Sequence, residues 1–513
     1  MEEKKRLLVN LAAQLSSFIV GFVISFFLTP FVIKKLGADV YGYIGLANNF
    51  VSYTSLISVA LNSMATRFIT VSYHKGNLIL AKKYYSSVYY SNIFLAIIIL
   101  CVAFLVVFYL DNLIKIDIQQ QWEVKLLFGL TFLNSAISLM FNIYFVPLFI
   151  KNRTDISSVL NIISNILRII FVVVPFSLFK PHLWYYSISA LISTLFIGLC
   201  NKKIAVKIFP DFKNNKNLYE FKLVKKILLS GWWNLLNKLS DILSTGMDLL
   251  LANVFISTLA MGTLSISKTI PTIILSLCAS VAIIFAPKLT EYYAKDKILD
   301  LQNEIHKNIR IMGIISILPI LVFIILGEDF FQLWLPNQDH QKLYQLSCIS
   351  LFSLMIAMPQ ESLWNIFTIT DKIKISSLSL LFFSILIFIT IFISVNFLKD
   401  DYDKLLAIVI SRLVWGGLRS LTFLPIYGAK CLKLKWNTFY PIICKNLAIS
   451  LCLLILFLII KYYFIKIDGW GTLTFYSIII SIIVLLIMSL VMLTNNQKKQ
   501  FKSIIRNLII KFK

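Results

Sequence analysis

Apolar runs long enough to cross a bilayer, roughly 20 residues each, recur along the whole chain between short polar segments. They predict membrane helices near 7–33, 43–69, 88–110, 124–150, 156–179 and 183–200, then near 228–254, 258–286, 309–326, 343–370, 375–398 and 403–428. Two more, near 440–465 and 472–493, bring the expectation to about 14. Barrel strands would alternate with period two over about ten residues, and these runs do not. The expected fold class is an all-α polytopic membrane protein.

The first twelve helices read as one six-helix unit written twice, at an offset of about 220 residues. At that offset Gly42 meets Gly262, Gln14 meets Asn234, Tyr73 meets Tyr293 and Lys75 meets Lys295. The expected organisation is an N-lobe over 1–201, a basic linker over 202–227, a C-lobe over 228–429, two extra helices within 430–493 and a tail over 494–513. Six is an even number, so both copies enter from the same side, and the pseudo-twofold axis runs along the membrane normal. In the tail, Phe501, Ile504, Ile505, Leu508, Ile509 and Phe512 share one face against Lys498, Lys502, Arg506 and Lys513. That pattern predicts a basic amphipathic helix on an anionic leaflet, with a frayed solvated tail as the plainer alternative.

Composition adds one question. The chain has 513 residues, 58 % of them hydrophobic and 14 % charged, yet its net charge is +25. Such a balance would suit a nucleic-acid partner if the charges formed a patch. They fall instead between the spans: with a cytoplasmic N-terminus, roughly 33 Lys and Arg lie inside, about 10 outside and about six within spans. The excess is topological and no nucleic acid is called for. The apolar run from Leu7 to Ile33 is too long for a cleavable signal. Both termini are expected in the cytoplasm. The seven cysteines show no CxxC pair and no metal spacing, so neither a disulfide framework nor a metal site is expected.

Candidate chemistry lies in polar groups that the bilayer makes expensive. An ionisable side chain at mid-membrane costs about 2.5–3.5 kcal/mol on insertion scales and normally faces a cavity or a partner. In helix 7, Asn234, Lys238, Asp241, Thr245 and Asp248 recur at steps that place them on one helical face. Lys238 and Asp241 also suit a neutralised packing pair, whereas no basic residue stands three or four places from Asp248. Helix 5 carries Asn161, Asn165 and Arg168, helix 8 carries Ser265, Lys268, Thr272 and Ser276, and helix 12 carries Arg412 and Arg419. Arg67 closes helix 2, where a positive-inside anchor and a functional cation are both open readings. Neutral stripes on helices 1, 2 and 4 (Asn10, Gln14, Ser17; Asn48, Ser52, Ser55, Asn62; Asn134, Ser138, Asn142) suit interhelical hydrogen bonds or a wet cleft. Pro30, Pro147, Pro175, Pro271, Pro319 and Pro359 interrupt spans.

Arg168, Lys238, Lys268, Arg412 and Arg67 thus outnumber the acids Asp241, Asp248 and Glu361, a balance that suits an anionic substrate with phosphate oxygens. No Walker motif, GxSxG or HExxH appears and no cofactor is implied, so a non-enzymatic secondary transporter is expected. Asp248 and Asp241 are the candidates for coupling to H+ or Na+.

The stretch Phe31 to Leu46, FVIKKLGADVYGYIGL, with Leu36, Gly37, Tyr41 and Gly42 as its marks, resembles the turn between the first two helices of the oligosaccharide-lipid flippases. These are the Wzx-type O-antigen and capsule repeat-unit translocases of the MOP exporter superfamily. Its second-half counterpart is Met261 to Ile270, MGTLSISKTI, and the likeness extends over nearly the whole chain. The resemblance implies two lobes of six helices, a cationic central cavity, alternating access and export of undecaprenyl-diphosphate-linked glycans from a bacterial cytoplasmic membrane. It also implies membrane lipids and polysaccharide polymerase or assembly proteins as partners. By the same resemblance Lys268 matches a basic position of the second-half motif, Arg67 sits where flippases carry a cation near the end of helix 2, and Asp39 falls in an outer gate turn similar to that of MurJ-type lipid flippases. Helix 1 departs from the MurJ pattern, because Gln14, Ser17 and Gly21 carry no charge; a polysaccharide repeat unit is favoured over lipid II. Two other readings stay open, a MATE-type cation-coupled drug exporter and a membrane-embedded polysaccharide polymerase or ligase.

The topology is checked by labelling single cysteines with an impermeant maleimide. Residues within 202–226 and 288–308 should label from the cytoplasm and residues within 111–121 and 330–341 from outside; an odd number of crossings would contradict the repeat.

Overall fold

The computed structural model describes residues 2–151, 153–210, 212, 215–494 and 498. The tail helix expected over 494–513 lies, apart from Thr494 and Lys498, outside the described residues. Among the described residues there is no strand, as the hydrocarbon environment requires of a chain that is not a closed barrel. The helices are α1 (Glu2–Leu36), α2 (Ala38–His74), α3 (Leu78–Phe108), α4 (Ile118–Ile150), α5 (Thr154–Leu178) and α6 (Trp184–Ile208). Then come α7, built of Phe221–Asp241, a π turn Ile242–Gly246 and Asp248–Phe255, and α8, built of Thr258–Ser267 and Thr269–Ile283. The rest are α9 (Ile298–Trp334), α10 (His340–Ile369), α11 (Ile373–Phe397), α12 (Asp401–Cys431), α13 (Tyr440–Phe464) and α14 (Trp470–Met492).

Among the described residues, 13 helices are long and apolar enough to cross a membrane. The expectation of about 14 differs by α7 alone. Its first segment carries Lys222, Lys225, Lys226, Lys238 and Asp241, and the π turn then splits the apolar remainder from it.

The chain forms two compact units, 1–265 and 266–513. In the first, α1 packs on α5, α5 on α6, α6 on α4, α4 on α3, α3 on α2 and α2 on α7. In the second, α11 packs on α12, α12 on α10, α10 on α9 and α9 on α8. Adding six to the order 5-6-4-3-2 gives 11-12-10-9-8, so the packing order repeats as the sequence does. The unit boundary is one of packing and the repeat boundary one of sequence: α7 belongs with the second copy by pattern and packs on α2 of the first. Helices α13 and α14 both pack on α9. The segment after α6 is folded onto the first unit. Phe209 and Phe212 join a core with Ile69, Tyr85 and Ile227, and Glu220 pairs with Lys83 at 2.5 Å.

Proline explains most of the helix breaks. Pro147 follows the 3-10 turn Asn142–Tyr144, Pro271 follows the break at Lys268, and Pro359 lies in the 3-10 turn Met358–Leu363. Pro30, Pro175 and Pro319 sit inside continuous helices, so only half of the expected interruptions occur. A proline frees the carbonyl four residues before it, and in lipid that acceptor needs a new donor. Four residues before Pro271 the Ser267 carbonyl accepts from Ser347 Oγ at 2.8 Å, and four before Pro425 the Leu421 carbonyl accepts from Tyr440 Oη at 2.6 Å.

Glycine sets the closest approaches. A Cβ on Gly231 would lie 1.8 Å from the Ala60 carbonyl oxygen, and one on Gly262 would lie 2.2 Å from that of Ala38. Gly42, the repeat partner of Gly262, is also its neighbour, since a Cβ there would lie 2.9 Å from the Gly262 Cα. Gly37 turns the chain from α1 into α2 at φ +95°, a left-handed value natural only to glycine. Gly231→Ala should therefore cost about 1–3 kcal/mol through overpacking, read as a lower melting temperature in detergent. Gly129→Ala, where a Cβ meets nothing within 4 Å, is the control; equal melting of the two variants would contradict the close approach.

Candidate functional site

In the first unit the candidates sit on α2, α5 and α7. The π turn decides the geometry of α7. Met247 N–H donates to the Ile242 carbonyl five residues back at 2.9 Å. In an unbroken α-helix Asp241 and Asp248 would return to nearly the same face after two turns. A π turn adds one residue without its share of rotation, which swings everything beyond it by about 100°. The single polar face expected for Asn234, Lys238, Asp241, Thr245 and Asp248 is therefore broken. Asp241 is exposed, whereas Asp248 is only 6 % exposed. Lys238 is half-buried one turn before Asp241, and Thr245 Oγ1 donates to the Asp241 carbonyl at 2.8 Å.

The widened turn is held by α2. Asn49 Nδ2 and Tyr53 Oη both donate to the Gly246 carbonyl, at 2.8 and 2.6 Å. Asp248 follows immediately, its Oδ1 accepting from Leu249 N–H at 3.2 Å. The buried carboxylate thus stands beside a backbone distortion that two side chains of the neighbouring helix fix in place.

On α5, Asn165 and Arg168 turn to different neighbours. The Asn165 amide lies against Gly21 of α1, 3.5 Å from where a Cβ would be. The Arg168 guanidinium sits 4.6 Å from the centre of the Tyr186 ring of α6, a cation–π contact worth about 0.5–2 kcal/mol. Its Nε is buried and makes no hydrogen bond among the described residues. The ring covers one face of the guanidinium, a group whose planar donors pair well with phosphate oxygens. Arg67 is exposed on α2, and Asp39 is half-buried in the first turn of α2.

Several neutral polar residues of the stripes are structural. Asn62 and Asn92 exchange reciprocal amide bonds of 3.0 Å, and Asn142 donates to Asn62 Oδ1 at 3.3 Å, so α2, α3 and α4 are tied by three asparagines. Asn10 Oδ1 accepts from Asp155 N–H at 2.9 Å, at the start of α5. Asn92 is the member that the stripes missed.

In the second unit, Lys268 is half-buried at the break in α8, where the helix axis is interrupted and the Ser267 carbonyl is held by α10. Arg412 is half-buried on α12. Arg419, two turns on, is 7 % exposed, with its guanidinium 4.5 Å from the Trp364 ring and 5.9 Å from the Phe423 ring. Among the described residues, no group of three or more His, Cys, Asp or Glu is placed to hold a metal ion.

The sequence from residue 4 to 293 matches the polysaccharide biosynthesis protein family. EpsK of Bacillus subtilis (strain 168), an uncharacterized membrane protein, is 25 % identical over 477 residues, covering 91 % of each chain. Among solved structures, the lipid II flippase MurJ in an inward closed conformation superposes with a TM-score of 0.66 at 16 % identity, covering 94 % of this chain and 98 % of that one. A multidrug resistance MATE family transporter of the MOP superfamily, in an inward-facing conformation, gives 0.62 at 13 % identity, covering 83 % and 98 %. With more than half of its length matched and its helices folded as in those transporters, the chain belongs to the polysaccharide biosynthesis protein family and has the MOP-superfamily fold.

Proposed function

We propose that this protein is a flippase that carries an undecaprenyl-diphosphate-linked oligosaccharide repeat unit across the bacterial cytoplasmic membrane by alternating access, for a cell-surface polysaccharide. The family match over residues 4–293 carries the reading, and the chemistry of the spans supports it. Arg168 is held face-on by Tyr186 with a buried Nε not bonded among the described residues, and Lys268 stands at a helix break. Cations so placed attract a diphosphate far more strongly between low-dielectric walls than they would in water. The protein alters no bond in its cargo; it is a transporter and not an enzyme. Lys238, Arg412 and Arg67 complete the cationic set, Asp39 belongs to the outer gate, and both termini lie in the cytoplasm.

Outward transfer of a doubly charged headgroup needs an energy source, and the buried Asp248 beside the π turn is the best placed carboxylate to alternate between H+ or Na+ and the diphosphate. Asp241, exposed before the turn, is the second candidate. Polysaccharide polymerase or assembly proteins would receive the cargo outside.

Arg168→Ala and Lys268→Ala should each reduce surface polysaccharide by about tenfold or more while the protein still inserts, with the lipid-linked repeat unit accumulating in the inner leaflet. Lys268→Arg should keep part of the export. Wild-type export from the double alanine variant would reduce both residues to helix anchors, and undiminished polysaccharide with lost drug resistance would favour a MATE-type exporter. In reconstituted vesicles, substrate should drive ion flux through the wild type and not through Asp248→Asn. Normal transport by that variant with unchanged pH and sodium dependence would remove α7 from coupling and leave diffusion down the glycolipid gradient.

A further inference from the structure

The loop between α3 and α4 is stitched to two other helices through one residue. Lys115 N–H donates to Asn253 Oδ1 at 2.8 Å, and the Lys115 carbonyl accepts from Asn253 Nδ2 at 3.2 Å and from Tyr43 Oη at 2.9 Å. The Asn253 amide therefore reads the backbone of Lys115 as a second peptide would, with a donor and an acceptor side by side. The Lys115 ammonium reaches the Ile256 carbonyl at 3.2 Å, a cation on the C-terminal end of α7. Asn253 and Tyr43 are fully buried, so the Asn253 amide and the Tyr43 hydroxyl have no water as an alternative partner, whereas Lys115 stands at the exposed side of the contact.

One residue from Tyr43, the backbone of α2 crosses that of α8 at Gly42 and Gly262. Met261, also fully buried, closes the crossing, with its Cε 2.8 Å from the place of a Gly42 Cβ. Loop, α2, the end of α7 and the start of α8 thus meet at one end of the first unit, the outer end in the topology expected from the charge distribution.

We infer that the 114–117 loop is a latch: by clasping Asn253 and Ile256 it holds the outer end of α7 against α2, and it must release before cargo can leave outward. The inference rests on the alternating-access reading. Its energetics suit a switch, because four hydrogen bonds of ordinary strength, three of them to one residue's backbone, close the end without any covalent or ionic commitment. Neither Asn253 nor Tyr43 would be needed by a packing role alone, since a leucine and a phenylalanine would fill much the same buried space.

The test uses the full-length protein with its seven native cysteines replaced. A cysteine at Met261 reports whether the crossing is open, by its rate of labelling from outside with an impermeant maleimide. Asn253→Ala should raise that rate roughly tenfold, the effect of losing two buried hydrogen bonds. The milder pair Tyr43→Phe with Lys115→Ala, which leaves the Asn253 amide in place, should raise it by a smaller factor and stands in if Asn253→Ala fails to fold. In a second arm, cysteines at Lys115 and Ile256 are bridged by a short reducible bis-thiosulfonate. Bridging should stop polysaccharide export and reduction should restore it. Labelling that is unchanged in every folded variant, or full export through the bridged protein, would overturn the latch. The labelling arm needs no knowledge of the cargo: if the flippase reading fails, export is lost as a readout in the wild type too, while labelling still decides on the latch.

Discussion

At Gly231 and Gly262 the second-copy helices touch the backbone of α2 with nothing but hydrogen between them. In lipid there is little hydrophobic gain from bringing two helices together, so association depends on close van der Waals packing and hydrogen bonds, which small residues permit. Much of the first unit follows from this contact. It brings Asn49 and Tyr53 within reach of the Gly246 carbonyl and so supports a π turn in α7. The turn rotates Asp248 away from the face of Asp241 and into the protein. Farther along α2, the same closeness lets Tyr43 share the Lys115 carbonyl with Asn253.

What could be read from the sequence was whatever the bilayer dictates locally. Apolar length located the helices, some of them closely: the span expected at 375–398 is Ile373–Phe397, and that at 156–179 is Thr154–Leu178. Where polar turns extend a helix past the bilayer it fell short, since 88–110 became Leu78–Phe108 and 309–326 became Ile298–Trp334. The repeat was legible in Gly42 and Gly262 as equivalents, but their mutual contact was not, because an offset says which residues correspond and nothing about which meet. The π turn was invisible for a related reason. Its cause lies in two side chains nearly 200 positions upstream, and a helical wheel assumes the regular rotation that the turn breaks. Proline was an incomplete guide to the breaks. Pro319 sits within unbroken α9, while Pro425, which sequence reasoning passed over, lies just after the interruption of α12.

The candidate cations divide by their surroundings. Arg168 and Arg419 lie against aromatic rings, which offset part of the cost of a guanidinium in a span. Lys268 stands instead at the break between two helical segments, next to a Ser267 carbonyl that Ser347 of α10 satisfies. Periodicity marked these residues as costly but gave no hint of Tyr186 or Trp364 as partners, since ring contacts across helices follow from packing order. Sequence likewise assigned Asn62 and Asn142 to polar stripes, and the third amide that completes their network, Asn92, emerged only from the packing of α3 on α2.

We propose that this protein moves a lipid-linked oligosaccharide between leaflets without altering it. Vesicles containing the purified protein and a short-chain polyprenyl-diphosphate oligosaccharide, treated from outside with a glycosidase specific for that glycan, test it most directly. Protein-free vesicles expose only the outer leaflet, about half of the glycolipid. With proton and sodium gradients imposed across the membrane in the direction that drives export, the digestible fraction should rise to nearly all of it when the wild-type protein is present and stay near half with Arg168→Ala. Digestion that stops at half with well-folded wild-type protein, over a panel of glycans, would contradict it.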